Sequence, residues 1–192
     1  QRHQRVPLAG ASLRGAIEML EEGLDLLDRV VEQERRPGPV AVAAHLEVVE
    51  RARVHGGALG LDRSAFYPGG GGQPADKGSL RWEAHDFAVK QVRKVGDQVR
   101  HWLDVDSAQP LPPVGAEIHG ILDWEHRYQL MRTHTAMHIL CGVVFRDYGA
   151  QVTGGNMDPL KGRMDFEFES MQKELVEEIT NAINVEVEKG HD

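Results

Sequence analysis

Hydrophobic residues near the N-terminus recur with the spacing of one helix face. They step by four and three in alternation: Leu13, Ile17, Leu20, Leu24, Leu27 and Val31. This pattern predicts an amphipathic helix from about Ser12 to Glu34, capped by Ser12 and ended by the Pro-Gly-Pro run at 37–39. Residues 1–44 then form a unit of helix and linker. The apolar face either packs on the rest of the chain or mediates self-association, and the sequence leaves both open.

From residue 45 to 122, short runs of strand-forming residues are separated by turn signals. Residues 48–54 and 58–61 flank a His-Gly-Gly turn, and residues 87–95 and 99–105 flank a Gly-Asp turn. These two arrangements predict two hairpins. A further strand is predicted at 117–122, after a proline-rich stretch. Short strands joined by tight turns favour a small antiparallel β-barrel.

The last third of the chain, residues 123–192, mixes helices with a strand. Asp123 is predicted to cap a helix over 124–148 that Gly149 ends. Residues 163–168 alternate like a strand, and Ser170 is predicted to cap a second helix. The fold class is therefore α+β: an N-terminal helix, a small antiparallel β-barrel, and an α/β two-layer domain.

Composition narrows the class of protein. With 41% hydrophobic and 27% charged residues in 192, the chain is expected to be globular rather than disordered. No apolar run approaches the ~20 residues of a membrane span, so no membrane partner is expected, and no secretory leader either. Cys141 is the single cysteine, which excludes an internal disulfide and fits the cytoplasm.

The net charge of −8 limits how the chain could bind a nucleic acid. Affinity for phosphates comes mostly from Lys and Arg, so binding would need a local basic patch. The residues that could form one are Arg127, Arg132, Lys161 and Arg163.

Two histidines four residues apart carry the sharpest chemical signal. His134 and His138 fall on one face of the predicted helix 124–148, where two neutral imidazoles can share one zinc ion. Such a pair also occurs as ordinary packing or surface residues, and a zinc site needs three or four ligands. Thr135 stands where a zincin would have its general-base Glu, so that class of protease is excluded.

A run of four glycines at 69–72 is the second signal. It permits close approach of the backbone to a ligand, with N–H groups available to donate hydrogen bonds. It lacks the Gly-Lys-Ser/Thr ending of a P-loop. A tight turn between two barrel strands is the structural alternative.

Taken together, these motifs resemble the alanyl-tRNA editing family, which comprises free-standing AlaX-type proteins and the editing domain of alanyl-tRNA synthetase. The resemblance covers about residues 45–192, and the segments that carry it occur in the family's order: DRSAFYP at 62–68, GGGGQPADKG at 69–78, Asp123-Trp124, and RTHTAMH at 132–138. Residues 1–44 lie outside it.

The resemblance implies a zinc-dependent hydrolase that acts on tRNA(Ala) mischarged with serine or glycine. It implies that His134 and His138 bind zinc and that Gln73 contacts substrate. Ser64 stands where the family commonly has Thr, and its hydroxyl is the implied contact for a seryl group. The residues implied to border the substrate or the tRNA are Gly70, Gly71, Gly72, Arg132 and Arg163.

The chain departs from the family at the zinc site. The family adds a later Cys-x-x-x-His pair, whereas no cysteine follows Cys141 here. Cys141 lies seven residues, ~10.5 Å along a helix, from His134, too far for one tetrahedral ion, and is expected to pack as a small apolar residue. His191 is a remote alternative ligand. We expect a truncated piece of a longer protein; weak or absent metal binding is the alternative.

Two other functions stay open. The chain could be a catalytically inactive remnant that binds tRNA or protein, or a metallohydrolase of the same fold that acts on another acyl ester. Zinc content separates the first from the editing enzyme, and competition by tRNA separates the second.

Overall fold

The chain folds around two antiparallel sheets, one closed and one open. The computed structural model describes residues 14–19, 41–47, 58–106, 108–168 and 172–190. The elements follow one another along the chain as β1 (Arg14–Met19), β2 (Ala41–Glu47), β3 (Ala58–Leu61), β4 (Gly78–Trp82), β5 (His85–Val95), β6 (Gln98–Asp104), β7 (Glu117–Leu122), α1 (Trp124–Tyr148), β8 (Val152–Asp158), β9 (Lys161–Glu167) and α2 (Lys173–Lys189). Neither of these helices is long and apolar enough to cross a membrane.

Strands β2 to β7 close into an antiparallel barrel in the order β2-β3-β6-β5-β4-β7. Alternate residues point inward, and the barrel core includes Leu80, Phe87, Leu103 and Ile118, each at most 1% exposed. In β5 the buried positions change from a two-residue to a three-residue step after Val89, because a bulge shifts the register there. The barrel thus keeps one continuous apolar interior despite the irregular strand.

The second sheet, in the order β1-β9-β8, carries both helices. Its central strand β9 buries Met164 and Phe166 against Leu140 and Val144 of α1, and Ile179 of α2 completes this cluster. The intervening residues of β9 face the other way. The two helices therefore form a layer on one face of an open sheet. This packing places α1 beside β8 and β9.

Several sequence predictions are confirmed. The α+β class holds, and the second predicted hairpin is β5–β6, which turns at residues 96–97. The Asp123 side chain accepts a hydrogen bond from the His126 N–H at 3.0 Å, and Gly149 ends α1 with φ 67°. The strand predicted at 117–122 is β7. Local signals such as caps and tight turns identified these elements.

The predicted N-terminal helix is wrong over residues 14–19. These residues form β1, which pairs antiparallel with β9 and places Ile17 opposite Met164. The apolar spacing indicates only which side chains would share a helix face. It contains no information about backbone hydrogen bonding to a distant strand. The edge of β9 would be unfavourable if left unpaired, and six residues of β1 pair with it. Residues 20–34, and with them the rest of the predicted helix, lie outside the described residues.

Other boundaries differ from those predicted. β2 begins at Ala41, inside the predicted linker, and pairs with β3; the predicted strand 48–54 lies outside the described residues. α2 begins after Gln172, which makes no side-chain cap, and Ser170 is not described. β4 and β8 were not predicted, because their glycine-containing sequences lack an apolar alternation. Pairing to β7 and to β9 makes them strands.

Gly78, the first residue of β4, lies against β7 with φ +151°, and a Cβ there would lie 2.1 Å from the Ile121 carbonyl oxygen. We expect Gly78→Ala to lower the free energy of unfolding by about 2–4 kcal/mol, since it adds a backbone clash to conformational strain. Gly115→Ala is the matched control: Gly115 also has positive φ (+85°) but open space, so we expect a loss of only about 1–2 kcal/mol. Urea unfolding of both variants measures the difference, and equal losses would contradict the close approach.

Candidate active site

A cleft of 480 Å³ lies where the glycine-rich loop meets α1 and β8. Its lining residues come from four elements: Tyr67, Gly70, Gly71 and Gln73 of the loop; His134, Met137, His138 and Cys141 of α1; residues 152–155 and Met157 of β8; and Met164 of β9. Polar groups of the loop and helix thus face an apolar floor made largely of methionine side chains.

His134 and His138 lie side by side on the exposed face of α1. Their rings are stacked at an interplanar angle of 9°, and their Nε2 atoms are 3.0 Å apart. The i, i+4 spacing of a helix produces this arrangement directly. Both imidazoles therefore present the same ring nitrogen to the cleft.

Gln73 reaches across the cleft to the first of these histidines. Its Oε1 lies 2.7 Å from Nδ1 of His134. An amide oxygen only accepts, so Nδ1 carries the proton and Nε2 of His134 keeps its lone pair. This contact, between residues 61 positions apart, sets the tautomer in which the ring can bind a metal through Nε2.

The two Nε2 atoms fit two positions of a zinc site. Ligands at 2.0–2.1 Å from a tetrahedral ion lie ~3.3 Å from each other, close to the 3.0 Å found here. Within the part of the chain that the structure describes, no group of three or more His, Cys, Asp or Glu residues could hold a metal. Of the described residues, only these two histidines would thus be placed to act as ligands at this position. Cys141 lines the cleft and also packs on the apolar cluster, and its burial raises the pKa of the thiol above its ordinary value.

A buried carboxylate closes the base of the glycine-rich loop. Asp76 is 3% exposed and accepts hydrogen bonds from the Tyr67 N–H at 2.6 Å and from Nε and Nη2 of Arg127, the former at 2.7 Å. Arg127 also donates to the Ala65 carbonyl oxygen at 2.7 Å. The hydrogen bond to Asp76 raises the pKa of Arg127 further above its ordinary value. Both ends of the loop are thereby tied to the second turn of α1, two turns before His134.

The tip of the loop is held by backbone contacts. Gly70 and Gln73 exchange N–H···O bonds at 3.0 and 3.1 Å, and the Met157 N–H donates to the Gly72 carbonyl oxygen at 2.9 Å. A Cβ on Gly72 would lie 2.5 Å from the Gly155 carbonyl oxygen, so only glycine permits this approach of the loop to β8. No hydrogen bond of the described residues uses the Gly71 N–H, and Gly71 lines the cleft.

Ser64 is not among the cleft residues. Its Oγ lies 2.8 Å from Nε2 of His101 and accepts a hydrogen bond from the Phe66 N–H at 3.1 Å. Nδ1 of the fully buried His101 lies 3.2 Å from the Leu59 carbonyl oxygen, so Nδ1 donates there and Nε2 accepts from the Ser64 hydroxyl. Burial lowers the pKa of His101 below its ordinary value. The structure therefore places Ser64 where it connects the start of the loop to the barrel.

The basic residues singled out in the sequence do not gather at the cleft. Arg127 is held by Asp76. Arg132 is 9% exposed, and Arg163 lies on the face of β9 away from α1, 2.8 Å from Asp165. The sequence-predicted residues that the structure brings together at the cleft are Gly70, Gly71, Gln73, His134 and His138. Gly72 does not line the cleft, and its carbonyl oxygen accepts a hydrogen bond from β8.

Sequence reasoning missed the β8 wall of the cleft and the Asp76 anchor. Gly154 and Gly155 line the cleft from within β8, a strand that the sequence did not predict. Asp76 stood in the quoted motif without an assigned role. The structural role of Arg127 is its ion pair with Asp76. The two residues are 51 positions apart, and no rule of sequence spacing predicts such a pair.

Comparison with known proteins gives consistent relatives. The family model described as tRNA synthetases class II (A) matches residues 21–126. The chain is 36% identical over 126 residues to the alanyl-tRNA editing protein AlaX-M of Methanosarcina barkeri, covering 65% of this chain and 52% of that protein. It is 37% identical over 136 residues to AlaX-M of Methanosarcina acetivorans (68% and 55%). The chain spans about half the length of these relatives.

A second kind of relative is a much longer enzyme. The chain is 43% identical over 107 residues to the alanine–tRNA ligase of Pyrobaculum neutrophilum, which covers 55% of this chain and 12% of that enzyme. This chain is thus similar both to alanyl-tRNA editing proteins and to a segment of an alanine–tRNA ligase.

Removal of Arg127 should destabilise the fold because it leaves the Asp76 carboxylate buried without its counter-charge. We expect Arg127→Gln to lower the free energy of unfolding by about 2–4 kcal/mol in urea. Arg81→Gln is the control, because Arg81 forms a comparable ion pair with Asp86 on the barrel surface, where both side chains are more than half exposed. It should be indistinguishable from the parent. Equal stability of both variants would show that Asp76 does not depend on Arg127.

The buried His101 should make stability depend on pH. Its folded-state pKa is lowered, so the unfolded chain binds its proton more readily, and stability falls as pH drops below the unfolded value of ~6.5. Between pH 7.5 and 5.5 we expect the parent to lose about 1 kcal/mol more than His101→Gln. His119→Gln, at an exposed position of β7, should lose as much as the parent. Parallel curves for all three proteins would contradict a depressed pKa at His101.

Proposed function

The chain belongs to the alanyl-tRNA editing family, and on that basis we propose that it hydrolyses the ester bond of tRNA(Ala) mischarged with serine or glycine. The observation that carries the proposal is the contact of Gln73 with His134 beside His138 at the edge of the cleft. It joins the two motifs of the sequence in one arrangement, in which a polar residue of the loop orients a histidine that would bind the metal.

The cleft suits a small acyl group. Its 480 Å³ lies within the range of small-molecule sites, about 300–1,000 Å³, and its lining includes glycine backbone and three methionine side chains. An aminoacyl ester is already an activated acyl compound, so hydrolysis needs a positioned water and stabilisation of the developing oxyanion. The Gly71 N–H is a donor available for that oxyanion.

His134 and His138 would hold zinc through Nε2. Zinc bound there would polarise the ester carbonyl and lower the pKa of the attacking water. Gln73 keeps the proton of His134 on Nδ1, and so leaves Nε2 of that ring as the ligand atom.

Selection of serine over alanine would depend on the hydroxyl of the seryl group. A site that pairs a substrate hydroxyl leaves its own polar groups unsatisfied when that hydroxyl is absent. Gln73 lies at the cleft, whereas the Ser64 hydroxyl is engaged with His101. We therefore assign the polar contact with substrate to Gln73 and a positioning role to Ser64, which holds the start of the loop through the Phe66 N–H.

One observation favours an alternative function. The described residues would supply only two ligands of a zinc site, and an inactive domain that binds tRNA would tolerate that. Zinc content of the purified protein, measured together with turnover, distinguishes the editing enzyme from the inactive domain. The enzyme requires bound zinc and turnover, whereas the inactive domain requires neither zinc nor turnover.

The direct test is release of serine from serine-charged tRNA(Ala), with and without added zinc. We expect zinc-dependent release from the parent with alanine-charged tRNA(Ala) spared. His134→Ala and His138→Ala should each lower kcat/KM by at least ~100-fold, and Gln73→Leu by ~10–100-fold, because it removes the orienting contact but not a ligand.

His119→Ala is the matched control, an exposed histidine on the barrel that should leave the rate unchanged. Parental rates in both cleft-histidine variants would refute the zinc assignment. No release by the parent under any condition would refute the editing activity of this chain.

A further inference from the structure

Several cations of the described residues are neutralised by neighbouring carboxylates. Arg127 is bound to Asp76, and Arg163 to Asp165. On the barrel, Arg81 pairs with Asp86 and Lys90 pairs with Asp104 at 2.8 Å. Cations held in this way offer little to an external phosphate, because their charge is already balanced. A polyanionic partner would need cations outside these pairs.

Two such cations face each other on the outer side of the barrel. Arg93 of β5 and Arg100 of β6 are directly opposite in the antiparallel register, and neither belongs to an ion pair among the described residues. Like charges in that position repel and destabilise the hairpin.

The neighbouring pair on the same outer face fits a nucleic acid. Gln91 lies opposite Trp102, and each of them is two positions from the arginine on its own strand, with one residue between. With its amide turned so that the oxygen faces Arg93, Gln91 accepts from Nε and Nη2 at 3.0 and 2.9 Å. This neutral partner orients the guanidinium and leaves its charge uncompensated. Trp102 is half-buried and does not belong to the barrel core cluster.

We propose that Arg93, Arg100 and Trp102 form an RNA-binding surface on the β5–β6 hairpin. A guanidinium presents a planar fork that matches two oxygens of a phosphate, and an indole ring stacks on a base whatever its identity. Two adjacent arginines beside an aromatic ring therefore match two phosphates of one strand with an intervening base. The surface lies on the barrel and not among the cleft residues, and the identification of the RNA as tRNA rests on the function proposed above.

The test is binding of fluorescently labelled, uncharged tRNA(Ala), followed by anisotropy over a range of salt concentrations. We expect Arg93→Gln with Arg100→Gln to weaken binding on the order of tenfold at 0.1 M salt. The slope of log K against log salt should become shallower by about 1.4–1.8, the value for two lost phosphate contacts. Arg93→Lys with Arg100→Lys should keep most of the slope, and Trp102→Leu should weaken binding without changing the slope.

The matched control is Arg81→Gln with Lys90→Gln. It removes the same two positive charges from the same barrel, but from residues already in ion pairs, so its affinity should stay within about twofold of the parent. If both double variants lose affinity equally, only net charge matters and the surface is refuted. Parental binding by the Arg93/Arg100 double variant refutes it as well, and would leave an acidic protein as the partner to examine. Thermal unfolding of each variant verifies that the barrel is intact.

Deacylation of serine-charged tRNA(Ala) separates this surface from the proposed activity. If the parent deacylates, loss of the surface should raise KM and leave kcat unchanged, since the cleft is untouched. Deacylation with unaltered KM in the double variant would overturn the surface while the activity stands. Weakened tRNA binding by the double variant, without deacylation by any protein, would support the surface while the proposed activity fails.

Discussion

The buried carboxylate of Asp76 determines where the glycine-rich loop lies. Its oxygens accept from the backbone of Tyr67 and from the guanidinium of Arg127, so one side chain joins both ends of the loop to the helix α1. A carboxylate at this depth is unfavourable unless it is paired and hydrogen-bonded, and here both conditions are met. The loop cannot shift along α1 without breaking this ion pair. The position of the loop relative to α1 is therefore fixed.

That placement gives chemical meaning to two otherwise ambiguous motifs. A histidine pair on an exposed helix face and a turn rich in glycine are each common in proteins without a site. Here Gln73 meets His134 and fixes the proton on its Nδ1, so the ring faces the cleft with the nitrogen that a metal would bind. The close approach of Gly72 to β8 holds the other side of the same loop. The site thus depends on three contacts: the ion pair of Asp76 with Arg127, the hydrogen bond of Gln73 with His134, and the close approach of Gly72 to β8. A histidine takes part in only the second of these.

Charge is distributed in a way that the net value of −8 does not convey. Arg127 and Arg163, which the sequence suggested for binding a nucleic acid, lie beside the carboxylates of Asp76 and Asp165. Arg93 and Arg100 are the opposite case, with a repulsive neighbour and no carboxylate partner among the described residues. In an acidic protein the net charge disfavours phosphate binding, but the local arrangement of cations and carboxylates decides whether a given surface can bind a phosphate.

The sequence by itself determined the features that depend on neighbouring residues. The cap at Asp123, the αL residue Gly149 and the spacing of His134 and His138 all follow from helix geometry over a few positions. The β5–β6 hairpin likewise follows from its turn. These interactions are local, so they are present in any fold that contains the segment.

Only the tertiary structure decided the rest. Residues 14–19 form a strand because β9 offers them an edge, and β8 is a strand because β9 pairs with its other side, although neither segment has a strand-like apolar pattern. The tautomer of His134 depends on a residue 61 positions away, and the position of the loop depends on a pair 51 positions apart. Backbone pairing and buried ion pairs between distant segments leave no periodic trace in the chain. Spacing could therefore identify the histidines, but not what orients them.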